Sequence, residues 1–184
     1  MDFQKELYGI KKQKQWAQQF VFSRYGNTMY ALCRRYLSPA EDAEEAMMNG
    51  FLKIFNGAGN PEFDNEAAFV GWMRRVMINE CLQQLRKSKS FLVLVENNDS
   101  NITDPMEADT PLNAKELFSI IEQLPAGYRT VFNLYVIEGY THKEIAAMMQ
   151  ISEGASKSQL SKARVKLAEL WKQKNEGYGL AKAR

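Results

Sequence analysis

The sequence is short of the residues from which active sites are most often built. Its 184 residues include a single histidine, His142, and two cysteines, Cys33 and Cys81. One histidine without a second ligand nearby leaves little for a catalytic triad or a zinc site, and a surface position near a phosphate is expected for it. The cysteines form no C-x-x-C pair, so each reads as a small buried hydrophobe within a helical pattern. No metal, cofactor or small-molecule substrate is expected. No apolar run approaches the roughly 20 residues of a membrane span. The N-terminus, MDFQKELYGIKKQKQW, lacks the apolar stretch of a secretory signal, so a cytoplasmic protein is expected. An alternating strand-helix pattern is also missing from residues 1–90.

What is present is an ordinary globular balance, 45% hydrophobic and 25% charged, which argues against wholesale disorder. The net charge of +2 is unevenly spread. Residues 1–90 hold 13 Lys/Arg against 10 Asp/Glu, residues 91–112 hold 5 acids and no base, and residues 113–184 hold 11 bases against 7 acids. Two mildly basic blocks around an acidic strip fit two nucleic-acid-facing modules on a linker. The expected layout is a first domain over 1–90, a linker over 91–112, a second domain over 113–175 and a tail over 176–184.

Helical spacing runs through both blocks. Tyr25, Met29, Leu32 and Tyr36 recur at steps of four, three and four, predicting a long helix over about residues 16–36. Ser38 is expected to cap the next helix with Pro39 in its first position, and acidic Glu41, Asp42, Glu44 and Glu45 crowd its positive end before Phe51, Ile54 and Phe55 close the pattern. Residues 56–66, NGAGNPEFDNE, read as a loop. The following helix carries Phe69, Trp72, Met73, Val76, Ile78, Leu82 and Leu85 around much of its circumference and ends in Arg86, Lys87 and Lys89. FLVLVE, from Phe91, reads as a short extended piece covering an apolar patch, and the acidic NNDSNITDPMEADTP after it as linker.

Four helices are predicted in the second block. The first is marked by Leu117, Ile120, Ile121 and Leu124, and the second, after Pro125, by Val131, Phe132 and Tyr135. Gly139 ends the second, and Thr141-His142-Lys143-Glu144 is a capping box opening the third. The last begins near Ser152 and shows Leu160, Ala163, Leu167 and Leu170, with most of KQKNEGYGLAKAR read as tail.

The segment THKEIAAMMQISEGASKSQLSKAR therefore reads as a helix-turn-helix whose second helix enters the major groove. Lys157, Ser158, Ser161 and Lys162 fall opposite the apolar stripe of that helix. Lysines there donate to guanine edges or phosphates, and the serines permit close approach.

The stretch from Leu124 to Leu170 resembles region 4 of the extracytoplasmic-function (ECF) sigma factors, which implies recognition of the minus-35 promoter element by Lys157, Ser158, Ser161, Lys162 and Arg164. Gln150 stands where the family often has glycine and Ala155 where it often has threonine; Gln150 costs up to about 1 kcal/mol if its backbone is left-handed. Residues 43–86 are similar to region 2 of the same family. AEEAMMNGFLKIF matches the helix that binds the clamp of the polymerase's largest subunit, implying contacts by Glu45, Met48, Asn49, Leu52 and Lys53, although Met48 replaces the usual glutamine and Asn49 the usual acid. FVGWMRRVMINECLQQLRK matches the helix that helps melt and hold the minus-10 element, implying DNA contacts by Arg74, Arg75, Asn79, Arg86 and Lys87. The loop before it offers Phe63, Asp64 and Asn65 to a flipped base, an aromatic with short polar groups suiting a base by packing and edge hydrogen bonds.

The resemblance implies an all-α protein of two small helical domains on a flexible linker. Its implied partners are core RNA polymerase, promoter DNA and an anti-sigma factor, and it implies no catalysis. An autonomous helix-turn-helix regulator would leave the first block unexplained. A nuclease would need clustered carboxylates or histidines in a pocket, whereas Glu41 to Glu45 sit on an early helical turn without metal spacing.

Overall fold

The computed structural model describes residues 3–57, 62–87 and 114–181, with residues 114–116 and 175–181 described by backbone only. The expected linker over 91–112 and the FLVLVE piece lie outside the described residues. The chain divides into two compact units, Met1–Lys87 and Ser88–Arg184. The described residues are helices joined by turns, with no strand among them.

Unit one holds α1 (Phe3–Lys11), α2 (Gln15–Tyr36), α3 (Ala40–Asn56) and α4 (Glu66–Lys87). The stripe predicted on α2 is the one that is buried: Tyr25, Met29, Leu32 and Tyr36 are each at most 8% exposed. Phe51 and Ile54 of α3 and Phe69, Met73, Met77, Ile78 and Leu82 of α4, the helices on which α2 packs, are buried as well. Burial of each such side chain contributes roughly 1.5–3 kcal/mol. An aromatic chain, Phe3 on Phe69, Tyr25 on Phe69, and Phe69 beside Trp72, seams α1, α2 and α4 together. Arg24 and Tyr25 of α2 both reach Glu66 at the start of α4, at 2.7 and 2.8 Å. Burial and that carboxylate push the Tyr25 hydroxyl up to about 12.

One local expectation is corrected. Ser38 makes no cap: Pro39 is itself the N-cap of α3, in extended conformation and without a side-chain cap bond. Cys33 and Cys81 are both buried, as expected, and α2 and α4 bring the two thiols together. The hydrogen bond with the Cys33 thiol and burial push the Cys81 thiol well above its ordinary value, so it stays protonated.

Unit two holds α5 (Ala114–Ile121), α6 (Ala126–Phe132), which runs on through a π-helical turn (Asn133–Ile137), α7 (His142–Met149) and α8 (Glu153–Ala181). Ile120, Ile121 and Leu124 are buried, as are Val131, Ile145, Met149, Leu160 and Ala163. Tyr135 is not buried as its spacing predicted, being 37% exposed, while Leu134 is fully buried. The wide π-turn changes the register by which side chains return to the core. Gly139 follows at φ +78°, and the Tyr140 amide reaches back 2.9 Å to the Leu134 carbonyl. The backbone of α8 stays helical to Ala181, beyond the point where a tail was expected.

Candidate nucleic-acid interface

The helix-turn-helix is assembled by short-range bonds that the sequence specifies. The Thr141 hydroxyl accepts from the Glu144 amide while the Thr141 amide donates to the Glu144 carboxylate at 2.8 Å, completing the capping box. The helix ends at Gln150, left-handed at φ 57° and ψ 42°. This is the strained position for which the family's glycine would be the cheaper residue. Ser152 then caps α8 by accepting from the Ala155 amide at 3.0 Å.

On α8 the buried side is Ser156, Gln159, Leu160 and Ala163. The opposite side carries Ser158 and Ser161, half-buried, flanked by exposed Lys157 and half-buried Lys162; Arg164 is exposed. Lys157 pairs with Glu153 at 2.8 Å, both well exposed, so the bond is weak and exchangeable for a phosphate. His142 is not a plain surface residue. Its Nδ1 lies 2.9 Å from the hydroxyl of fully buried Ser156, and its ring stacks on Tyr135 at 4.4 Å, tying α7 to both neighbours. Burial and nearby Lys157 hold its pKa below the usual imidazole value.

In unit one, Phe63 rests on Phe69 and Trp72, each at 5.3 Å between ring centroids, so it covers the aromatic seam with one face. Asp64 and Asn65 are exposed. Asn65 also has local work, its side-chain oxygen accepting from the Ala68 amide at 2.9 Å and capping α4. Along α4, Arg75, Asn79, Arg86 and Lys87 are exposed and Arg74 is half-buried. Asn79 thus faces solvent and has no need of a buried partner.

On α3, Glu45, Met48 and Leu52 share an exposed stripe, with Met48 at 49% and Leu52 at 55% exposure and Asn49 half-buried beside them. Lys53 is engaged with Glu80 of α4, whose side chain is only 8% exposed. Its placement therefore has a structural reason, the neutralising of a buried carboxylate. Among the described residues no group of three His, Cys, Asp or Glu is placed to hold a metal, and no helix is long and apolar enough to cross a membrane.

Helix α1 was not among the predicted elements, although Phe3, Leu7 and Ile10 carry helical spacing. Tyr8 and Lys11 of that helix join Glu62, Phe63 and Asp64 around one cavity.

A capped helix-turn-helix in one unit and a three-long-helix bundle with an aromatic-backed polar loop in the other define a two-module helical protein of the helix-turn-helix class. The sigma-70 region 2 family model matches residues 21–91 and the sigma-70 region 4 model residues 114–167, between them most of the chain. The ECF RNA polymerase sigma factor SigM of Mycobacterium tuberculosis is 27% identical over 161 residues, covering 87% of this chain and 80% of SigM. The ECF RNA polymerase sigma-E factor of Haemophilus influenzae is 28% identical over 157 residues, covering 78% of this chain and 82% of that protein. The fold is also that of the sigma factor RpoE from Bartonella quintana, solved with the anti-sigma factor NepR. There the TM-score is 0.51 at 20% identity, over 84% of this chain and 96% of that one. The chain belongs to the sigma-70 family, as a sigma factor of the ECF kind.

Proposed function

We propose that this ECF sigma factor binds core RNA polymerase through α3 of unit one and directs it to promoters that both units read. The observation that carries the reading is that two separate sigma-70 matches fall one on each compact unit, each on the elements that expose the relevant side chains. Glu45, Met48, Asn49 and Leu52 offer an apolar stripe with a polar edge to the clamp of the largest subunit, and Lys53 contributes chiefly by holding α3 to α4. Exposed apolar side chains in a contiguous stripe favour a protein partner over solvent.

In unit two, α8 enters the major groove of the minus-35 element. Lys157 and Lys162 donate to base edges or phosphates, Ser158 and Ser161 allow close approach, and Arg164 holds the flanking backbone. In unit one, Arg74, Arg75, Asn79, Arg86 and Lys87 line the path of the minus-10 element, and Phe63, Asp64 and Asn65 receive an unstacked base of its single strand. The domains follow the layout of 1–90, 91–112 and 113–175. The protein acts in the cytoplasm beside polymerase, performs no catalysis of its own, and is restrained by an anti-sigma factor, as the similarly folded RpoE is bound by NepR.

Mixing the purified chain with sigma-free core polymerase and promoter DNA tests this. A stable complex and a promoter-specific transcript are expected, and their absence sinks the reading. With that complex in hand, Lys157→Ala or Lys162→Ala is expected to weaken use of the minus-35 element by about 1–3 kcal/mol for a base contact. A phosphate contact would instead lower the salt dependence of binding by about one ion. An autonomous regulator would bind its site with the same affinity whether or not polymerase is present.

A further inference from the structure

The cavity of about 630 Å³ beside the polar loop has two walls. One is the loop itself, Glu62, Phe63 and Asp64; the other is α1, through Leu7, Tyr8 and Lys11. The helical wall is firmly placed. A Cβ at Gly9 would lie 2.6 Å from the Ala17 Cβ and 2.8 Å from the Trp16 ring, so only glycine lets α1 pack this closely on α2. Phe3 adds a ring contact to Phe69, the same ring that supports Phe63. Tyr8 is 62% exposed, with the Lys12 ammonium 5.9 Å from its ring centroid. An exposed aromatic beside two lysines is the composition of a stacking platform that also meets the phosphate backbone.

We infer that α1 is the second wall of the base-receiving site, with Tyr8 packing against the unstacked base, Lys11 taking its phosphate, and Glu62 and Asp64 selecting a base with an exocyclic amine. The inference rests on the proposed reading of the loop as a base receiver. Two exposed carboxylates repel phosphates, so their presence at the mouth of a DNA site needs a compensating donor. Exocyclic amines, such as N4 of cytosine or N6 of adenine, are donors that a carboxylate accepts from, whereas thymine has no exocyclic amine.

The test uses holoenzyme formed from the full chain and core polymerase, bound to fork-junction promoter DNA whose non-template minus-10 strand is single. An abasic scan along that strand first identifies the captured position. There, replacing the base by thymine is expected to weaken binding on the order of tenfold relative to cytosine or adenine. Tyr8→Ala should lose on the order of tenfold on the intact strand and little on the abasic one, with Tyr8→Phe restoring the loss. Glu62→Gln combined with Asp64→Asn should narrow the preference against thymine. If the abasic scan shows no sensitive position, the loop reading fails and this inference with it. If a sensitive position exists but Tyr8→Ala binds like the unaltered protein, α1 is no wall of the site. If thymine is accepted as well as cytosine and adenine, the assignment of the carboxylates is overturned.

Discussion

The two units solve the same problem, holding a few helices rigid enough to present side chains to DNA, with different interiors. Unit one is held by apolar packing: apart from Glu6 and Glu80, the buried residues of α1 to α4 are hydrophobic or glycine. Unit two buries Arg129, Thr130, Asn133, Ser156 and Gln159 among its aliphatic residues. Part of the difference lies in how many helix ends each core receives. The three core helices of unit one, of 22, 17 and 22 residues, satisfy most of their backbone internally, whereas three of the four helices of unit two, of eight, seven and eight residues, bring their ends into the core, and the long α8 buries Ser156 and Gln159 near its start. Side chains then supply missing or extra bonds, as when Arg129 donates to the Glu122 carbonyl at 2.9 Å and the Thr130 hydroxyl to the Ala126 carbonyl at 2.7 Å. Unit one should therefore respond most to lost volume and unit two to changes in backbone geometry and protonation.

The largest expected effect comes from neighbouring residues of α3 with opposite duties. Phe51 is 2% exposed and packs on Phe22 at 4.9 Å between ring centroids. Phe51→Ala is expected to cost unit one about 3–5 kcal/mol, read as faster hydrogen exchange throughout α2 to α4. Unit two should keep its protection; a loss spread over both units would break the contrast. Leu52, 55% exposed, is the counterpart. Leu52→Glu should leave the melting temperature almost unchanged and weaken core polymerase binding on the order of tenfold, measured by competition against the unaltered protein. Equal polymerase affinity would remove α3 from the interface.

How much of this was legible depended on the range of the interaction. The α2 stripe could be read because each buried residue answers to helical spacing alone, and the capping box because both of its bonds close within four residues. Tyr135 was misplaced because a π-turn shifts register without a sequence signature that spacing rules capture. Ser38 failed as a cap because Pro39 took that position itself. The end of α8 was set too early because the residues nearest a chain end are ordinarily frayed, yet the backbone continues to Ala181. For the candidate sites, residue types in the loop were readable, but their tertiary neighbours were not. That Lys53 answers Glu80, that His142 meets Ser156, and that Tyr8 and Phe63 line one cavity all depend on helix crossings that no local pattern encodes.

Smaller effects should separate the units further. Gln150→Gly relieves a left-handed backbone at φ 57° and is expected to stabilise unit two by about 0.5–1 kcal/mol in a denaturant melt. No change there would mean that the Gln150 side chain makes compensating contacts in the turn.

The last difference is in pH response. His142 sits between the Tyr135 ring and the Ser156 hydroxyl, with Lys157 and Arg164 opposing its protonation and Glu153 favouring it. Burial is the largest influence, and its folded pKa lies below the ordinary 6.5. As pH falls through about 6.5, the unfolded chain takes up the proton before the folded one does, so unit two loses stability until pH passes below the folded value. Thermal melts between about pH 7.5 and 5.5 should show this loss, and His142→Gln should flatten it. An unchanged slope in His142→Gln would assign the pH response to the carboxylates instead. Unit one, which contains no histidine, is the internal control. Its hydrogen-exchange protection should hold across the same interval while that of α7 and the start of α8 declines.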